Sequence, residues 1–307
     1  MFRYDVVAQS DVFIENFIHG KLDALGYGYE QLSSINPALI YCSINGFGSR
    51  GPDKAKPGYD LVANAVGGLL HITGPEDGEP CRPGVAAIDI LTGLYAHTAI
   101  TAALYERTLT GKGKRVDVSL FQSQVSALSC HATSYLNNGI ESVALGSSHP
   151  SIVPSRTFST KDGEIAVSAS SDSVFHKLAC ALGCPELITD DRFETNALRV
   201  LHREVLDAII SGRIAGETKQ HWCGVLLEVG VGCSPVNNIE EAMCSEAVSR
   251  LDNVHCLPHI KCGEVKVVGP AVTFDGQSFP SPPRPPPLLG EHTEEVLGAL
   301  SFCEPDV

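Results

Sequence analysis

From Val85 to Leu104 the chain runs twenty residues with a single charged side chain, Asp89, set among Ala, Ile, Leu and Gly. A run of that length is enough for a helix that spans a bilayer or for a long helix laid against a core. Asp89, Thr92, His97, Thr98 and Thr101 favour a buried helix of a soluble domain, because polar side chains at membrane depth are costly. An isolated carboxylate in such a wall is itself expensive to bury. Pro83 and Gly84 stop the preceding element, and helical spacing starts just after them. Asp89 is therefore expected in a first helical turn, where free N–H groups and the helix dipole favour negative charge. An ordinary Asp N-cap fits that spacing as well as a functional carboxylate does. Ala86, Ala87 and Gly93 are small and leave space for a ligand.

Around this run, short strand-like stretches alternate with helical ones: 11–14 "DVFI", 38–44 "ALIYCSI" and 114–120 "KRVDVSL", with helices near 59–70 and 86–108. Such alternation predicts an α/β layered domain over 1–136. The stretch 137–153 turns to Gly, Ser and Asn and reads as a linker. A smaller α+β domain is expected over 154–270, opening on a hairpin around Asp162-Gly163 and continuing with helices near 172–183, 197–212 and 217–229. The remainder, 271–307, is a Pro-rich extended arm leading into a short helix at Glu291–Leu300. Because the first domain opens directly on "VVAQSDVFIENF", a further sheet-forming segment is expected to precede residue 1, leaving that domain N-terminally incomplete.

A length of 307 residues fits about two domains. A net charge of −14 with no Lys/Arg run argues against a nucleic-acid surface. Eleven cysteines without CxxC spacing read as reduced thiols of an intracellular protein. The first residues have acidic groups early and no apolar core, resembling neither a secretory signal nor an Arg-rich transit peptide.

Within the acidic total, "INGFGSRGPDKAKPGYD" (44–60) is a Gly-rich loop carrying Arg50, Lys54 and Lys56, which fits either phosphate contact or a plain exposed loop. It is neither a GxxxxGK[ST] loop nor a GxGxxG turn. The cluster "HCLPHIKC", with His255, Cys256, His259 and Cys262, matches no standard zinc spacing, so no metal is expected. No GxSxG elbow supports hydrolase chemistry. Cys180 and Cys184 read as core residues on one helix face.

The stretch from "ENFIHGKLDALGYG" through "INGFGSRGPDKAKPGYDLVANAVGGL" resembles the signature region of the family III CoA-transferases, the formyl-CoA transferase and carnitine CoA-transferase group. The resemblance continues in family order through "RPGVAAIDILTGLYA", "GKGKRVDVSLFQSQV", "HPSIVPSRTF", "DDRFETNALRV", "GVGCSPVNNIEEA" and "PPLLGEHTEEVL". It implies a Rossmann-like large domain and a smaller α+β domain, joined by long linkers into an interlocked homodimer. It further implies a mitochondrial enzyme moving CoA from an acyl-CoA, here succinyl-CoA, to a dicarboxylic acid, here glutarate. Coenzyme A thioester is then the substrate, with no tightly bound cofactor, no nucleic acid and no membrane.

By family position Asp89 is the nucleophile. Asn16, Phe17 and Tyr59 line the coenzyme site, Asp60 lies beside the reacting group, and Arg50, Lys54 and Lys56 become phosphate contacts. Backbone N–H groups near the nucleophile are the expected oxyanion donors. For a distal carboxylate, Arg82, Arg156 and His149 are candidates by charge. The chain departs from the family in two places: "ENFRPG" is "ENFIHG", which removes a basic contact at Ile18, and the family's glycine-bearing active-site loop corresponds to "SASSD", Ser168 to Asp172. A racemase of the same family uses a His base where this chain has Tyr59; phenols ionise only near pH ~10 and make poor bases at neutral pH, which favours transfer. The other alternative is an inactive shortened isoform that binds a full-length partner.

Overall fold

The computed structural model describes residues 2–251, 253–276 and 284–299. It divides into two compact units, Met1–Ser147 and Ser148–Val307.

The first unit is a parallel α/β layer. Helix α1 (Phe2–Ala8) leads into β1 (Val12–Glu15), then α2 (Lys21–Ala24), α3 (Tyr29–Ile35) and β2 (Ile40–Asn45). After a long loop come α4 (Asp60–Val66), α5 (Ala87–Thr110) and β3 (Lys114–Ser119), followed by α6 (Leu120–Ala127) and α7 (Ser129–Asn138). The strands pair in parallel in the order β1-β2-β3, with Val12 opposite Ile40 and Ile40 opposite Lys114. Every return between parallel strands needs a crossover, supplied here by α2 and α3 and then by α4 and α5. The central strand β2 carries the buried Ile40, Tyr41 and Cys42, as a strand covered on both faces must. Burial first, then the Asp117 and Glu15 charges, pushes the Cys42 thiol up to about 11, so it is a core group and not a nucleophile.

Helix α5 realises the apolar run, with one correction. It packs on β2, β3 and α6, and Arg107 near its end donates to Asp11 and to the Ala38 carbonyl. Only Ile88, Thr92, Ala96 and Ala103 are buried, however, while Ile90, Leu94, Tyr105 and Leu109 are more than half exposed. It is long and apolar enough to cross a membrane by composition. Its contacts are those of a crossover helix with a second apolar face left open in this chain.

The second unit begins with β4 (Ser155–Thr160) and β5 (Gly163–Ser168), the expected hairpin, which β6 (Gly232–Pro235) joins in an antiparallel sheet of order β4-β5-β6. Between them run α8 (Asp172–Ala181), a 3-10 turn (Pro185–Ile188), α9 (Asn196–Leu201), α10 (Arg203–Ile214) and α11 (Lys219–Glu228). Their apolar faces meet in one core around Phe175, Phe193, Leu206, Ile210, Ile214 and Leu226, all at most 1% exposed. Helices α12 (Ile239–Met243) and α13 (Glu246–Leu251) follow, then the hairpin of β7 (Val254–His259) and β8 (Gly263–Val268), and finally α14 (Thr293–Ala299). Cys184 is buried but lies past the end of α8, whereas Cys180 is exposed; the two do not share a helix face in the core. Residues 277–283 of the Pro-rich arm and Leu300 of its expected helix lie outside the described residues.

Candidate active site

The carboxyl ends of all three parallel strands converge on one cavity of about 540 Å³ in the first unit. Asn16 and Phe17 follow β1, Ile44 and Asn45 close β2 with Gly46 just beyond, and Leu120 follows β3. Open parallel sheets place ligands at this edge because the crossovers leave a crevice there. The loop before α4 contributes Lys56, Pro57, Gly58 and Tyr59, and α5 contributes Asp89, Thr92 and Gly93. Two glycines let the loops meet: a Cβ on Gly46 would lie 2.5 Å from the Gly58 Cα, so neither position admits a side chain without displacing backbone.

Asp89 is neither buried nor an N-cap. Ala86 occupies the cap position, and Asp89 is the third residue of α5, exposed toward the cavity. Its surroundings still press on it. Desolvation, and after it the Asp60 charge, push its carboxyl above the usual range, with Arg82 pulling the other way.

The helix start does not supply the free amides expected of it. Ala87 N–H donates to the Val85 carbonyl at 2.8 Å and Ile90 N–H to that of Ala86 at 3.1 Å. Ile88 and Asp89 N–H both donate to Asp60 Oδ1, at 2.9 and 3.3 Å. The four amides of the first turn are thus all engaged, which removes them as oxyanion donors. Lining residues with side-chain donors include Lys56, Tyr59 and Asn16. The Asn45 Oδ1 accepts from Gly48 N–H, and its Nδ2 is buried with no hydrogen-bond partner among the described residues.

Of the residues singled out from sequence, Asn16, Phe17, Lys56, Tyr59 and Asp89 line this cavity together. Asp60 does not; it is 4% exposed and committed to the start of α5. Arg50 lines a separate hollow with Phe47, Phe121 and Gln122. Lys54 is exposed, and Lys56 is paired with Asp53 at 2.7 Å. Arg82 is exposed in the loop before α5.

Arg156 and His149 belong to the second unit, where each has a structural partner. Arg156 Nη1 donates to Asp207 Oδ2 at 2.9 Å. The His149 Nδ1 accepts from Ser151 N–H, and its carbonyl accepts from Arg203. In "SASSD" the Ser171 side chain caps α8 by accepting from Val174 N–H, and Asp172 accepts from the fully buried Arg199. The "HCLPHIKC" segment forms the β7–β8 hairpin, where His259 Nδ1 accepts from the Lys261 and Cys262 amides; among the described residues no three His, Cys, Asp or Glu side chains cluster to hold a metal.

Sequence reading singled out the 44–60 loop as a whole but gave no individual role to Ile44, Asn45, Gly46, Pro57 or Gly58 in it, and none to Thr92 or Leu120. The signal for Ile44, Asn45, Gly46 and Leu120 was available, since each sits at or just beyond the carboxyl end of a predicted strand. Thr92 requires the pitch of α5.

A family model, CoA-transferase family III, matches residues 3–293. The human succinyl-CoA:glutarate CoA-transferase is 44% identical over 293 residues, which are 95% of this chain and 67% of that protein. A succinate–glutarate CoA-transferase of Agrobacterium fabrum is 35% identical over 97% of this chain and 74% of its own. The crystal structure of a CAIB/BAIF family protein from Brucella suis superposes with a TM-score of 0.84 at 35% identity, covering 97% of this chain and 77% of that one. The chain thus spans about two thirds to three quarters of the length of these relatives. With a family match over nearly its whole length and a cavity at the strand ends, the chain belongs to CoA-transferase family III.

Proposed function

We propose that this chain transfers CoA from succinyl-CoA to glutarate through a covalent intermediate on Asp89. The observation that carries the reading is Asp89 standing on the wall of a cavity shared with Asn16, Phe17, Lys56 and Tyr59, in a chain whose relatives include succinyl-CoA:glutarate CoA-transferases. In the first step an Asp89 carboxylate oxygen adds to the thioester carbonyl, and the C–S bond breaks to give a mixed anhydride and CoA thiolate. The thiolate adds to the Asp89 acyl carbon, forming an aspartyl-CoA thioester and releasing succinate. Glutarate repeats the two steps in reverse, so one thioester is exchanged for another of similar energy.

The residues suit these demands. Lys56 brings a cation to a cavity in an acidic protein, suited to a coenzyme phosphate. Raised basicity makes the Asp89 carboxylate a stronger nucleophile in its ionised form. Of the three cations considered for the distal carboxylate we favour Arg82, the one whose charge acts on Asp89. Arg156 is committed to Asp207. A homodimer accompanies this reading, supported by the open apolar stripe of Ile90, Leu94, Tyr105 and Leu109 on α5. So does a mitochondrial location, by resemblance within the family.

The test is trapping. Purified chain incubated with succinyl-CoA and then hydroxylamine should carry a hydroxamate on Asp89 alone, and glutaryl-CoA should form when glutarate is added. Solvent deuterium at the acyl α-carbon with no hydroxamate would instead make it a racemase. Absence of both, with co-purification of a longer relative, would make it a non-catalytic subunit.

A further inference from the structure

Helix α5 begins without a cap of its own. Ala86, in the cap position, has no side-chain acceptor, and the missing acceptor comes from Asp60, 28 residues earlier. Asp60 is fully engaged: Oδ1 receives the Ile88 and Asp89 amides, and Oδ2 receives the Asn64 Nδ2 at 2.9 Å. A buried carboxylate accepting two helix-start amides and a side-chain amide has its orientation fixed by three bonds.

We propose that Asp60 is the positioning residue of Asp89: it fixes the turn that carries the nucleophile, and its charge takes the helix-start amides that would otherwise stabilise the Asp89 carboxylate. The proposal rests on Asp89 being the nucleophile. A free helix start would draw negative charge toward it and make the carboxylate a weaker nucleophile. Here the same amides are neutralised by a neighbouring anion, and Asp89 faces the cavity with the helix dipole offset. Its raised carboxyl fits that arrangement, desolvation contributing first and Asp60 next. The other charged or titratable groups facing Asp89 are Arg82, from the loop before α5, and Lys56 and Tyr59, from the loop before α4.

Asn64 makes a clean test available. It is fully buried, its Nδ2 bonds Asp60, and its Oδ1 has no hydrogen-bond partner among the described residues. In Asp60→Asn the new amide oxygen keeps both helix-start bonds, and its NH2 faces Asn64, whose amide turns to present Oδ1. The variant removes the charge and keeps the cap.

The experiment compares the whole 307-residue chain with Asp60→Asn and Asp60→Ala. Asp89 is titrated by NMR of carboxyl-labelled aspartate, its resonance assigned by loss in Asp89→Asn. In parallel, kcat and KM for succinyl-CoA and glutarate are measured against pH. In Asp60→Asn the Asp89 titration moves to lower pH, the acid limb of kcat moves with it, and the plateau falls by about 10-fold. In Asp60→Ala, kcat falls by about 10²-fold with KM little changed, since the nucleophile's turn is no longer held. Asp89 titrating at the same pH in Asp60→Asn overturns the electrostatic role, and a folded Asp60→Ala within about threefold of the parent kcat overturns the positioning role. If the parent chain transfers no CoA yet its Asp89 titration moves in Asp60→Asn, the transferase reading fails and the coupling of the two carboxylates stands.

Discussion

Asp207 is held in the second unit by Arg156. The carboxylate on α10 is 7% exposed at its side chain, and its ion pair is with the Arg156 Nη1 at 2.9 Å from β4. Its Oδ1 is buried with no hydrogen-bond partner among the described residues. The guanidinium also lies 5.7 Å from the Phe158 ring centroid and donates to the Thr157 carbonyl, both on β4, so the Asp207 pair alone among these contacts ties β4 to α10.

Removing Arg156 would therefore leave a buried charge. Arg156→Ala should destabilise the second unit by about 1–3 kcal/mol, the lower part of the range reflecting the partial exposure of the arginine. Asp207→Asn in the same background should recover most of that loss. The ratio of kcat/KM for glutarate over a monocarboxylate should not change. A fall in that ratio without a stability change would return Arg156 to the acceptor's distal carboxylate.

Gly93 stands one turn beyond Asp89 on the same face of α5, and a Cβ there meets nothing within 4 Å. Its missing side chain thus makes room for a ligand and not for packing. Gly93→Ala should stabilise the first unit by about 0.5–1 kcal/mol, since a helix-interior glycine costs that much conformational entropy. Gly93→Leu should fold as well and raise KM for succinyl-CoA by about 10-fold or more, because the added side chain occupies the cavity. Urea unfolding and steady-state kinetics on the two variants separate these effects. A leucine variant with the parent KM would move the acyl group out of this cavity.

Much of the first unit was legible because period and punctuation agree with its environment. Strands β1, β2 and β3 fall within a residue or two of the runs "DVFI", "ALIYCSI" and "KRVDVSL", and α5 starts where Pro83 and Gly84 release it. The error over Asp89 has a specific physical origin. Hydrophobic neighbours on a helix imply burial only if something covers them, and in this chain one face of α5 is open. The bonds from the Ile88 and Asp89 amides to Asp60 were not legible, because a cap supplied from another helix leaves no mark in local spacing. Arg199 was equally hidden. It is fully buried, bonded to the Val153 and Phe193 carbonyls and to Asp172, and stacked on Phe175, yet in sequence it is one more polar position on a helix.

Asp172 gives the second unit an acid limit. The Arg199 guanidinium at 2.7 Å, helped by the Asn196 amide, holds its carboxyl below the usual range. A carboxyl depressed in the folded state contributes stability that is complete above its unfolded pKa of about 3.9 and is lost as pH falls through the lower folded value. With the Asp172 side chain 51% exposed, that contribution is screened to at most ~1 kcal/mol. The chain carries one tryptophan, Trp222, which is 7% exposed, and its Nε1–H donates to the Ile214 carbonyl inside the second unit's core. Its fluorescence reports that unit alone. Urea unfolding followed at Trp222 should show the parent more stable than Asp172→Asn at about pH 6, with the gap closing as pH falls below the unfolded value of about 3.9 and the parent's carboxyl protonates. Asp190, drawn down to about 2 by Arg192, remains in both proteins and sets a common background. A gap that stays constant across the range would mean that Asp172 acts through shape and not through charge.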